Sequence, residues 1–391
     1  MFFSSIVDAF PETLNLLYRT REAMVQQGEH ITDLISGNVS HCGIVFPEDL
    51  LRDALQTALP AARLYRPDSL GQRVARQAIS DYYREMGVVL PPEQILLTPG
   101  TSISYLYCFM LMAEAGDEIL CPRPSYPLFE AIARLCKVKL TFYQLQESRN
   151  WDIDPDYLET QVTTRTRAIV LISPHNPTGA VVARDRLRSL AEIAVRHRLP
   201  VIADEVFSEF LFEFEELPRP ALTEAPLVVS LNGVSKMLAL PGMKLGWMGV
   251  SGDPALVQKS MRALEMISDT FLPVNELVQF AVPALMRTGG PFMAHYRSRV
   301  ANCRELVVRM LSKASNLSLV PPTGGFYIPA RWTGPERDEE QLLISLLKEC
   351  KILAHPGYFY DMAGTHIVMT FVEDPEVLAK ALKGLLVFAD Q

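Results

Sequence analysis

The sequence predicts an α/β protein: a large domain with a mostly parallel central sheet covered by helices, and a small α+β domain built from both chain ends. Three observations carry this. In the middle of the chain, short apolar runs alternate with helical stretches, the pattern of strands buried on both faces. After about Pro254 the alternation gives way to long helical segments. The 391 residues are 49% hydrophobic and 21% charged, enough apolar material for two domains and too much for a disordered chain.

Residues 94–98 (QILLT) read as a strand and 102–113 as an apolar helix. Residues 118–121 form a strand, 128–135 a helix and 137–143 a strand. The run RAIVLI at 167–172 is a buried strand, and 184–197 a helix of period 3.6. Strands follow at 200–203, 227–231 and 244–250, with Asn232-Gly233 read as a short turn. Helices are expected at 256–267, 276–286 and 292–314, then short strands and helices at 339–350 and 376–388. Residues 11–26 are helical but cannot make a core alone. The expected division is therefore 1–42 and 288–391 as the small domain and 43–287 as the large one.

A net charge of −8 argues against nucleic acid, whose phosphates need dense Lys and Arg. A small anionic ligand stays compatible with it. The six cysteines, at 42, 108, 121, 136, 303 and 350, form no C-x-x-C pair. They read as buried free thiols of a cytoplasmic protein. No basic leader precedes Asp8, and no apolar run nears the roughly 18 residues of a membrane helix. No metal site is expected.

Ligands of an open α/β sheet bind at the carboxyl ends of its strands. Four such ends carry reactive or polar residues. Ser173-Pro174-His175-Asn176-Pro177-Thr178-Gly179 follows RAIVLI, Asp204 ends PVIAD, Ser235-Lys236 follows LVVSLNG, and Gly100-Thr101-Ser102 follows QILLT. An amide, an acid, a lysine and a small-polar helix start thus converge on one rim. Each has a plainer reading beside it: turn residue for Asn176, strand-end acid for Asp204, surface charge for Lys236, ordinary N-cap for Thr101 and Ser102.

Together, the motifs LLTPGTS, PRPSYP, SPHNPTG, ADEVF, NGVSK and LPGMKLGW resemble the class I/II aminotransferases of the aspartate-aminotransferase fold (fold type I). Asn176 to Asp204 spans 28 residues and Asp204 to Lys236 spans 32. The resemblance implies pyridoxal 5′-phosphate (PLP) as cofactor, with Lys236 forming the Schiff base. Asp204 would pair with the ring nitrogen and Asn176 would donate to the ring 3′ oxygen. Thr101, Ser102, Ser235 and Lys244 would hold the phosphate, and Tyr126 would stack on the ring. Tyr65, in LYRPDSLG, matches a tyrosine that crosses to a partner's phosphate, which implies a homodimer. Core packing is the alternative for both tyrosines. The implied reaction moves an amino group between an amino acid or amine and a keto acid. Elimination or cyclisation on the same cofactor is the first alternative, and a non-catalytic PLP-binding protein the second.

Three positions depart from the commonest family pattern. Lys244 stands where an arginine usually holds phosphate, giving a cation without the bidentate fork. Phe207 replaces a tyrosine, so one hydrogen bond to the ring oxygen is lost. Val368 stands where an arginine would grip the substrate's α-carboxylate, and no Arg follows Arg337. Simple L-amino acids are therefore expected to bind weakly. The Asn176 amide, N–H groups near Gly37, Arg66 or Arg297 are the candidate substitutes.

Overall fold

Residues 168–172 (AIVLI) are apolar throughout because they lie inside a sheet with helices on both faces. The computed structural model describes residues 2, 14–271 and 274–391. A two-residue strand, β1 (Thr32–Asp33), stands outside the main sheet. That sheet contains β2 (Ile95–Thr98), β3 (Glu118–Arg123), β4 (Lys139–Gln146), β5 (Asp152–Ile153), β6 (Thr166–Ile172), β7 (Val201–Asp204), β8 (Leu227–Gly233) and β9 (Gly246–Gly252). Its order is β2-β9-β8-β7-β6-β3-β4-β5. Strands β8, β7, β6, β3 and β4 pair in parallel, while β9 and β5 pair antiparallel with their neighbours.

Alternate residues of each strand feed opposite faces. Ala168, Val170 and Ile172 pack with the helices Thr101–Met112, Leu128–Cys136 and Pro254–Phe271. Ile169 and Leu171 pack with Leu187, Leu190 and Ala194 of the helix Arg184–His197.

The second sheet is antiparallel. It joins β10 (Leu317–Leu319), β11 (Tyr327–Trp332), β13 (His355–Pro356) and β14 (His366–Thr370) in the order β10-β11-β14-β13. Between them in sequence, β12 (Ile352–Leu353) pairs in parallel with β1, so Thr32 lies opposite Ile352. Leu17, Met24 and Leu34 share a core cluster with Leu342, Leu347, Ile352 and Leu385. The N-terminal segment thus packs on the C-terminal part.

The first helix is Leu16–Gln26, with Asn15 Oδ1 accepting from Leu17 N at 2.8 Å as its cap. Residues 11–13 of the expected helix lie outside the described residues. Asn232 and Gly233 are not a turn: they continue β8 and pair with Trp247 and Gly246. Lys244 is not in a strand but caps a short turn with a left-handed φ of 51°. Lys137 likewise caps the preceding helix, so β4 starts at Lys139. Three helices of more than one turn went unread: Glu48–Ala62, which contains Pro60, Arg73–Glu85, whose buried side includes Arg76 and Ser80, and the short Pro155–Thr160. Of the thiols, all six free, Cys136 and Cys350 are partly exposed rather than buried. Among the described residues, no helix is long and apolar enough to cross a membrane, and no group of His, Cys, Asp and Glu is arranged to hold a metal ion.

Candidate active site

Sheet register gathers the rim. Ile172, Asp204 and Leu231 lie in one row across β6, β7 and β8. Beyond that row come Asn176 on the loop after β6 and Ser235-Lys236 in the single helical turn after β8. A neighbouring row holds Gly233, Gly246 and Thr98. Here the backbones come unusually close. A Cβ on Gly246 would sit 3.1 Å from Gly100 Cα and 3.0 Å from Asn232 O, so only glycine lets the helix start at Thr101 approach β8 and β9 this way.

Gly100 is the N-cap of that helix, and no side chain caps it. The Ile103 and Ser104 N–H groups bond back to Gly100 O, while those of Thr101 and Ser102 have no backbone partner among the described residues. Thr101 and Ser102 are therefore first-turn residues, not caps, with two free donors at the positive end of a helix. Ser235 and exposed Lys244 flank the same backbone approach from β8 and β9.

The Lys236 ammonium donates to Gly37 O at 3.2 Å. Its Nζ lies 5.9 Å from the Phe207 ring centroid and 6.0 Å from that of Phe326. Burial lowers its pKa, which favours the uncharged, nucleophilic amine. The sequence neighbours Val234, Met237, Leu238 and Leu240 belong to a separate cluster with Leu97 and Trp247. Phe207 therefore contributes an apolar face beside the amine.

Asp204 accepts from Tyr105 Oη at 2.8 Å and from Val206 N at 3.0 Å. No cation pairs with it among the described residues, and burial pushes its carboxyl up to about 6. Asn176 makes no side-chain hydrogen bond, and its Oδ1 is buried without a partner. Tyr126 is 39% exposed and near enough to Asp204 for that carboxylate to raise its pKa. An acid lacking a cation, a desolvated amine, an unpartnered amide and a helix start with free donors fit a flat, cationic, phosphorylated ring.

Tyr65 is not brought to this cleft. It is 82% exposed on the loop before Arg73–Glu85. Arg297 is no substitute for the missing arginine, because it bonds Glu209 Oε2 at 3.0 Å. Val368 is fully buried and packs with Leu120, Leu171 and Tyr360 instead of facing the cleft. Sequence reasoning missed Tyr105 and Tyr327. Tyr105 lies four residues after Thr101 on one helix face, a spacing that could have paired them. Tyr327, in GGFY, gave no such signal.

The pattern of class I and II aminotransferases matches residues 30–385. The glutamate-pyruvate aminotransferase AlaA of Escherichia coli is 31% identical over 341 residues, covering 85% of this chain and 83% of that protein. The alanine aminotransferase of Mycobacterium tuberculosis is 27% identical, covering 98% and 91%. Among solved structures, the alanine aminotransferase from Pyrococcus furiosus superposes with a TM-score of 0.92 at 26% identity, covering 99% of each chain. An aspartate aminotransferase of Thermus thermophilus, at 23% identity and a TM-score of 0.89 over 99% of this chain and 100% of that one, shares the fold. Motif order, sheet architecture and relatives agree: the chain belongs to the class I and II aminotransferase family.

Proposed function

We propose that this aminotransferase holds pyridoxal 5′-phosphate covalently at Lys236 Nζ and moves an amino group between an amine or amino acid and a keto acid. The observation that carries the reading is the pairing of two uncompensated groups on one rim. Lys236 is desolvated toward its neutral form, and Asp204 is a buried acid without a cation. The bound cofactor would supply an aldehyde carbon and a protonated ring that withdraws electrons from the substrate's α-carbon.

The chain's residues do the rest. Asp204, oriented by Tyr105, holds a proton on the ring nitrogen. Asn176 donates its amide to the ring 3′ oxygen. Thr101, Ser102, Ser235 and Lys244 bind the phosphate, and Tyr126 covers the ring face. Lys236, once free, takes a proton from the substrate's α-carbon and returns it at the cofactor's C4′. Phe207 and Phe326 keep water from this amine. Tyr65, exposed in one chain, serves the phosphate of a second copy in a homodimer.

Borohydride reduction followed by peptide mass spectrometry tests the attachment. The cofactor should be fixed on Lys236, and an adduct on another lysine overturns the reading. A single turnover with an amine should release the carbonyl product without free ammonia. Stoichiometric ammonia would identify a lyase instead.

A further inference from the structure

Tyr18, His355 and Tyr360 form a hydrogen-bonded row beside the small sheet. Tyr18 Oη lies 2.6 Å from His355 Nε2, and His355 Nδ1 lies 3.0 Å from Tyr360 Oη. An O–H donor makes shorter hydrogen bonds than an N–H donor. With Nδ1 protonated, the arrangement these lengths match, Tyr18 donates to Nε2 and the Nδ1 proton goes to Tyr360. Burial keeps this imidazole neutral, with its pKa down at about 4, so it carries one proton and one lone pair. The Tyr360 O–H is left to donate to something else.

His355 is the strand partner of Val368. Val368 is sealed in the cluster that also contains Tyr360, so Tyr360 presents the polar atom here. Its backbone O accepts from Ser125 N at 2.8 Å, which fixes it beside Tyr126. The hydroxyls of Tyr327, Tyr18 and Tyr126 are all close enough to raise its pKa. Tyr327 Oη and Lys236 Nζ lie 3.2 and 3.5 Å from one point, the vacant Cβ position of Gly37. Tyr327 thus neighbours both Tyr360 and the Lys236 amine.

Among the described residues, no Arg or Lys hydrogen-bonds to Tyr18, His355 or Tyr360. The charges acting on the row are Asp33, on Tyr18 and His355, and Arg21, which opposes it at Tyr18. Arg123, the nearby basic residue of PRPSYP, is turned to Asp361 and the Phe142 ring. A carboxylate here would meet neutral donors and the field of Asp33. A neutral oxygen would meet a donor and owe no charge compensation.

We propose that this row binds a substrate amine whose neighbouring carbon bears a neutral oxygen: a 2-amino alcohol or an amino-acid amide, in preference to the free amino acid. Tyr360 donates to that oxygen, and His355 and Tyr18 position Tyr360. The proposal rests on the reading that the amine reacts at a cofactor on Lys236.

The test titrates the PLP-loaded protein with L-alanine, L-alaninamide, L-alaninol and isopropylamine, following the cofactor's absorbance. The amide and alcohol should bind at least about 10-fold more tightly than the acid. In Tyr360→Phe, their affinity should fall about 10-fold while that of isopropylamine, which has no oxygen, changes less than about 2-fold. Tyr18→Phe should give a smaller loss in the same pattern, and it replaces Tyr360→Phe if that variant fails to melt cooperatively. The wild-type comparison needs no variant. Equal or tighter binding of the acid overturns the proposal, as does an equal loss for isopropylamine. Absence of a borohydride adduct on Lys236 overturns the functional reading instead, so the two failures are distinct.

Discussion

On the sheet side of the cleft, Asp204 has no cation and Lys236 no anion among the described residues, whereas on the opposite side Tyr18, His355 and Tyr360 bond to one another and leave only the Tyr360 hydroxyl proton unused. Both sides are at least partly buried, so the difference lies in what each group lacks. A buried acid without a counter-charge is costly to the fold, and it is retained where a ligand completes it. An uncharged row bonded mostly within itself costs little and shapes what enters. Changes on the sheet side should therefore abolish chemistry, and changes on the other side should alter preference.

Lys236→Ala is the strongest way to break this contrast. It should lower kcat/KM at least about 10³-fold and abolish the borohydride adduct, with an unchanged far-UV spectrum. The fold loses only one hydrogen bond, to Gly37 O. Turnover surviving within 10-fold would dissolve the distinction between the two sides.

Asp204→Asn should reduce turnover about 10²-fold or more, and it has a second readout without cofactor. The Asp204 carboxyl is raised from 3.8 to about 6 in the folded chain. A folded pKa above the unfolded one means that the folded state holds its proton longer. The stability this confers is full below about pH 4 and is lost as pH rises through about 6, up to about 3 kcal/mol. The melting temperature of cofactor-free wild type, measured relative to Asp204→Asn, should therefore drop between those pH values. A flat difference would mean that Asp204 is not uncompensated.

Tyr105→Phe sharpens the comparison more gently. Removing the 2.8 Å donor should raise the Asp204 pKa further and weaken cofactor binding about 10-fold. Equilibrium dialysis of PLP measures this, and unchanged affinity would leave Tyr105 a packing residue.

The smallest effect on the isolated fold is expected from Tyr65→Phe, within about 0.5 kcal/mol because the side chain is 82% exposed. Its consequence should appear between subunits. Mixing Tyr65→Phe with Lys236→Ala chains should restore one site holding both native residues. No recovery after verified exchange would remove Tyr65 from the phosphate site.

The sheet side was legible because each of its residues ends or follows a strand. Asn176, Asp204 and Lys236 sit just past apolar runs, and parallel register brings such positions together whatever lies between them. The opposite side was not. Tyr18 and His355 are 337 residues apart, and neither lies in a motif that spacing marks. Val368 was identified at its position, but its burial depends on how β14 packs against the large sheet. Asn232-Gly233 misled because the pair suits a turn, whereas here the need was close backbone approach to Gly246.

That 337-residue separation also orders events in time. A ribosome adds about 5–20 residues per second, so Tyr18 waits on the order of tens of seconds before His355 exists to meet it. The strands β6, β7 and β8 lie between, and their mutual register is complete once Gly233 has emerged. Loop closure over so long a chain segment is slow relative to local pairing. The nascent chain therefore assembles the rim of Asn176, Asp204 and Lys236 first and the row of Tyr18, His355 and Tyr360 last.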